Sequence, residues 1–164
     1  MKPLVAFLFM AQPSIYLLIS SIISLLIPSS ILHVSPDFSF PFIFFWTIFK
    51  PEFLPLSCLL VVGIVSDSIQ GLPLGFHSIL FLGSSLILLS QRNFLYYQPF
   101  PLIWAVFSLS LIFYKILEKL ILRSFMEFPF SLANLVLSIL FTILLYPLCA
   151  KLSSLNLKKV IDLS

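Results

Sequence analysis

The sequence predicts an all-α integral membrane protein, a bundle of six transmembrane helices of which the second is short. Three observations lead there. Of the 164 residues, 60% are hydrophobic and only 9% are charged, whereas an ordinary soluble domain is about 25% charged. Mean hydropathy is +1.17, and a chain this short cannot hide so much apolar surface in one core, because small domains leave a large share of their surface in water. Pro13, Pro36, Pro51, Pro55, Pro73, Pro99, Pro101 and Pro129 stand at nearly every break in the apolar runs, where a helix can begin or must stop.

A crossing helix needs about 20 apolar residues. On that ruler the first segment runs from Ser14 to Leu32. Met1-Lys2-Pro3 and the apolar stretch behind it have the outline of a signal peptide. The run continues to Leu32 with no convincing small-x-small cleavage site, so an uncleaved first helix is expected. The second segment, Pro36 to Phe49, is short and has Pro41 in its first turn, so it spans only with little tilt in a locally thin membrane. The third runs from Phe53 to Gln70, the fourth from Pro73 to Ser90, the fifth from Phe100 to Leu122 and the sixth from Ser131 to Ala150. The tail, residues 151–164, mixes lysines with Leu152, Leu155, Val160 and Ile161. It either lies along the cytoplasmic membrane surface or frays. With short connections throughout, residues 1–164 read as one transmembrane domain.

Charge sets the orientation. The formal charge is +3 and the pI is near 9.0, but nine Lys and Arg spread thinly between apolar runs form no patch for nucleic acid. If all six segments cross, Lys2, Lys50, Arg92, Lys151, Lys158 and Lys159 fall on one side, and Lys115, Lys119 and Arg123 near the other. If the second segment only dipped in and returned, Arg92 and the three carboxy-terminal lysines would lie outside. The positive-inside rule therefore predicts six crossings with both termini cytoplasmic.

The most informative stretch is "GIVSDSIQGLPLGFHS", residues 63–78. Asp67 sits in an apolar run, and a carboxylate at a helix centre costs about 2.5–3.5 kcal/mol on insertion scales. Gly63 lies one turn before it and Gly71 one turn after, so the three share a face with almost no bulk, open to a second helix. That face either receives a partner's membrane helix or packs this chain's own hairpin. The competing reading is an Asp67 near the helix end that faces water or caps a neighbour. "GLPLG" reads as a tight turn in which Gly71 ends one helix, Pro73 starts the next and Gly75 keeps its first turn slim.

Other constellations carry less. Ser66, Asp67, Ser68 and His77 invite a hydrolase reading, but adjacent residues on a helix point apart and no G-x-S-x-G elbow is present. His33 and His77 lack a second ligand at helical spacing, which makes them satisfied or interfacial histidines rather than metal ligands. Cys58 and Cys149 sit inside apolar runs and behave as small hydrophobes. No nucleotide loop or HExxH is present, so no catalytic residue, metal or cofactor is expected. In "YKILEKLILR", Lys115, Glu118 and Lys119 can pair on one face; snorkelling to the outer interface is weighed ahead of a transport role.

"VVGIVSDSIQGLPLGFHSILFLGSSLILL" resembles the signature hairpin of the bacterial rod shape-determining protein MreD family, with its G-x-x-x-D-x-x-x-G-x-x-L-G pattern. "SPDFSFPFIFFWTIFKPE" is similar to that family's short second segment, with a Pro-Asp start, Trp46 near its end and a Pro-Glu close. "LLYPLCAKL" resembles the Tyr-Pro close of the last helix, here Tyr146 and Pro147. The chain differs in being rich in Phe (19) and poor in Gly (4), and in carrying fewer cytoplasmic arginines. The resemblance implies a non-enzymatic inner-membrane subunit of the peptidoglycan elongation machinery. Such a subunit binds MreC and supports MreB, the glycosyltransferase RodA and its transpeptidase partner. Gly63, Asp67, Gly71 and Gly75 are the residues expected to carry partner or helix packing. The family's fold also resembles the S components of energy-coupling transporters, which supplies the alternative of a small-ligand binding or transport subunit.

Overall fold

The computed structural model describes residues 15–17, 19, 20, 37–125 and 132–161, with backbone alone at 69, 125 and 156–161. Most of the first segment, His33, the 126–131 connection and residues 162–164 lie outside the described residues. Residues 15–17, 19 and 20 are helical, and no strand occurs among the described residues. The elements that follow are α1 (Ser39–Phe49), a 3₁₀ turn (Pro51–Phe53), α2 (Leu56–Gln70), α3 (Phe76–Leu95), α4 (Phe100–Phe125) and α5 (Leu132–Ile161).

Only three of these helices are long and apolar enough to cross a membrane: Phe76–Leu95, Phe100–Ser124 and Leu132–Leu155. The segment expected over Pro36–Phe49 is an 11-residue helix, about 16 Å long at 1.5 Å per residue against a hydrocarbon core of about 30 Å. Its length is not set by lipid. Every residue from Ser39 to Ile48 is buried, as befits a helix that is apolar on all sides. Phe42 stacks on Tyr16 at 5.9 Å, and Phe44 meets Phe107 of α4 at 5.1 Å and Tyr146 of α5 at 5.6 Å. α1 is thus the central post of the bundle, walled from the bilayer by its neighbours.

α1 and α3 point the same way. At their far ends the Arg92 Nε–H donates to the Ile48 carbonyl at 3.1 Å. At their near ends Tyr114 of α4 packs on Phe40 at 4.6 Å and on Phe81 at 6.1 Å, and His77 lies 5.7 Å from Phe81. The starts of α1 and α3 therefore share one end of the bundle.

Two of the departures from the expected extents involve prolines. The third begins at Leu56 rather than Phe53, because Pro51 and Pro55 confine residues 51–53 to a single 3₁₀ turn. The last helix continues through Pro147 to Ile161. Proline has no N–H to give the carbonyl four residues back, here that of Ile143. The Trp104 indole N–H of α4 fills the vacancy at 3.2 Å, and the Tyr146 ring is clamped on Phe107 at 4.1 Å. The bond that proline deletes is replaced from the neighbouring helix, so α5 runs on.

Candidate functional site

The α2–α3 hairpin holds all four residues singled out by the sequence. Asp67 is wholly buried. Its Oδ2 accepts the Gly75 N–H at 2.7 Å, and its Oδ1 accepts the His77 N–H at 3.0 Å and lies 2.6 Å from His77 Nδ1. A helix starts with backbone N–H groups that have no intrahelical partner, and a negative charge there is favoured by the helix dipole. Asp67 therefore caps α3 from the end of α2. The same acceptors satisfy the carboxylate, which removes much of the cost of placing it in an apolar bundle. With the carboxylate ionised, Nδ1 is the proton-bearing ring nitrogen.

The glycines have separate tasks. A Cβ on Gly63 would overlap the backbone N and Cα of Ser78 and its Oγ. Gly63 is therefore the crossing point of the two helices, and the Ser78 hydroxyl donates across it to the Leu60 carbonyl at 2.9 Å. Gly71 and Gly75 have no atom within 4 Å of such a Cβ. Their role is conformational: with φ of 66° and 95° they occupy the left-handed region that side chains avoid. Gly71 closes α2, and the Leu72 N–H donates to the Asp67 carbonyl at 3.0 Å. α3 starts at Phe76, after Gly75, rather than at Pro73.

A second polar network sits at the same end of the bundle. Lys115 Nζ lies 2.6 Å from Glu118 Oε2 and 3.1 Å from Asp37 Oδ2, and Lys119 reaches Glu118 Oε1 at 3.6 Å. Lys115 and Glu118 are both buried, so Lys115 turns inward instead of snorkelling out. Asp37 also accepts the Ser39 and Phe40 N–H groups at 3.3 and 3.4 Å, and its own N–H donates to Thr142 Oγ1 at 3.2 Å. Asp37 thereby ties the start of α1 to α4 through its carboxylate and to α5 through its backbone N–H. In the sequence Asp37 enters only as part of the Pro-Asp start of the second segment. An Asp directly before an apolar run is the signal that would have found it. Ser78 and Trp104 carry no comparable sequence signal.

The Asp67–His77 pair has the geometry that orients a catalytic histidine. Among the described residues no hydrogen bond to His77 Nε2 is made, and the adjacent Ser78 hydroxyl is committed to Leu60. Ser68 donates to the Ile64 carbonyl of its own helix at 2.8 Å. A triad needs the nucleophile on the free ring nitrogen. This pair is built to hold a helix start.

A membrane protein, all-helical among the described residues, with two inward-facing ionisable networks at one end is what these features define. The chain belongs to the MreD family: the family model for the rod shape-determining protein MreD matches residues 1–155. That membership gives it a part in rod shape determination and places it in a family of shape-determining membrane proteins rather than of enzymes. No curated protein and no solved structure matches the chain.

Proposed function

We propose that the protein is a non-enzymatic scaffold of the bacterial inner membrane that presents its α2–α3 hairpin to a partner's membrane helix. It crosses the membrane six times with both termini cytoplasmic, short α1 making its passage inside the bundle, shielded from lipid by its neighbours. The partner is MreC-like, and through it the protein supports MreB, RodA and the associated transpeptidase. The observation that carries this reading is the way the hairpin is locked. Asp67 and the Gly63–Ser78 contact fix the two helices from inside, while Leu60, Val61, Ile64 and Ile79 stand exposed on the outside. A rigid apolar surface of this kind binds without paying to order itself. In this arrangement Asp67 is a positioning residue that shapes the docking face from beneath.

The test is site-directed crosslinking in native membranes, with Cys58 and Cys149 replaced by Ala and single cysteines introduced. Positions 64 and 79 are expected to crosslink to the MreC-like partner, and position 148 on the exposed face of α5 is not. Crosslinks at 148 alone overturn the reading. The small-ligand alternative draws no support from the groove between α3 and α4, whose volume is about 50 Å³ against the roughly 300–1,000 Å³ of small-molecule sites.

A further inference from the structure

We propose that the open groove between α3 and α4 seats a few methylenes of one acyl chain of an anionic phospholipid whose phosphate is held by Arg92. The groove has Phe40 as its floor, Ser84, Ile87 and Leu88 on one wall and Ser110 and Phe113 on the other, with a volume of about 50 Å³. Its mouth is open, since Ile87 and Phe113 are 53% and 55% exposed. Gly83, beside it, has open space where a Cβ would stand. Ser110 donates its hydroxyl to the Val106 carbonyl at 2.8 Å, so that wall presents mainly hydrocarbon. A helix with its side chains is about 10–12 Å across, too broad for this slot. A single polymethylene chain is slim enough.

Charge identifies the rest of the ligand. Ser84, Leu88 and Arg92 are spaced four apart and form one stripe along α3. Arg92 lies eight residues beyond Ser84, about 12 Å along the axis, within the roughly 15 Å depth of one leaflet. The bond from Nε to the Ile48 carbonyl fixes the guanidinium at that end. Among the described residues no carboxylate pairs with it, which leaves its terminal N–H groups for a phosphate. Lys50, two residues beyond Ile48, adds a second positive charge; Glu52 is exposed and pairs with neither among the described residues. Tyr96 and Tyr97 follow at 47% and 84% exposure, rings suited to the headgroup layer. Basic residues at the end of an interhelical groove are a recurring phospholipid site.

The test uses the full chain in mild detergent, titrated with phosphatidylglycerol or phosphatidylcholine and read by native mass spectrometry. One basic contact near the membrane surface predicts a preference of about fivefold for phosphatidylglycerol. Arg92→Gln should abolish the preference and Arg92→Lys should keep most of it. Ser84→Phe fills the groove while leaving Arg92 in place, and should displace both lipids. It carries the test by itself if Arg92→Gln loses helical circular dichroism. Equal binding of the two lipids by the wild-type chain overturns the proposal. So does undiminished phosphatidylglycerol on Ser84→Phe, or a protein crosslinked at position 84 with no lipid retained.

Discussion

The two buried polar networks lie at one end of the same bundle and are built in opposite ways. The Asp67 network is local: its acceptors meet donors eight and ten positions away, across one turn. Two of its contacts are to backbone N–H groups, which any sequence would supply once the turn forms. The Asp37–Lys115–Glu118 network joins the start of α1 to the middle of α4, and Asp37 reaches on to Thr142 of α5, 105 positions away. It exists only when the whole bundle has assembled. A local carboxylate shapes one hairpin; Asp37 joins α1 to α4 by its carboxylate and to α5 by its backbone N–H.

If that contrast is right, the long-range network is the more expensive to break. Lys115→Met leaves the part-buried Asp37 carboxylate without its cation and buried Glu118 with only the longer contact to half-exposed Lys119, and removing one member of a buried ion pair costs about 3–5 kcal/mol. A marked fall in unfolding midpoint in detergent and in membrane abundance is expected. The triple variant Asp37→Asn, Lys115→Met, Glu118→Gln leaves no unpaired buried charge, since Lys119 is 41% exposed, and should recover much of that loss. A triple variant no better than Lys115→Met alone would show that the network acts by something other than charge compensation.

Gly63→Leu comes next. Its side chain meets the Ser78 backbone, so the helices must part, at about 1–3 kcal/mol or more for overpacking. Cysteine pairs across the α2–α3 crossing should lose disulfide formation in this variant while pairs between α4 and α5 keep it. Equal loss in both places would make the hairpin no more local than the other network.

Asp67→Asn keeps the shape but turns an acceptor into a donor facing N–H groups, for about 1–3 kcal/mol. Faster amide exchange confined to residues 72–78 is the expected signature. Exchange spread over α4 and α5 would erase the contrast.

Trp104→Phe is the mildest. It removes a single half-exposed bond to Ile143, and interhelical hydrogen bonds in membranes average about 0.6 kcal/mol. The expected change is increased exchange near Pro147 with little shift in midpoint, and a loss of several kcal/mol would mean that the proline break governs the bundle.

Much of the hairpin was legible because its chemistry is short-range. A lone carboxylate, a glycine one turn away on each side and a Gly-Leu-Pro-Leu-Gly turn point to a polar seam before any contact is known. The individual duties of the glycines were not legible. Spacing places Gly63 and Gly71 on one face alike, yet only Gly63 meets another backbone, while Gly71 serves through its positive φ. The direction of Lys115 was not legible either, since snorkelling and inward pairing are equally compatible with "YKILEKLILR". What separates them is the position of Asp37, and nothing near Lys115 in the chain encodes that.

Composition and local patterning decided the solvent, the helical class and the turn between α2 and α3. These depend on hydropathy, missing N–H groups and backbone freedom, all properties of a residue and its near neighbours. Assembly decided which short helix is walled in by the others, which carboxylate meets which cation and which carbonyl receives the Trp104 indole. Burial and charge pairing depend on distances between residues remote in the chain, and those distances exist only once the helices have packed.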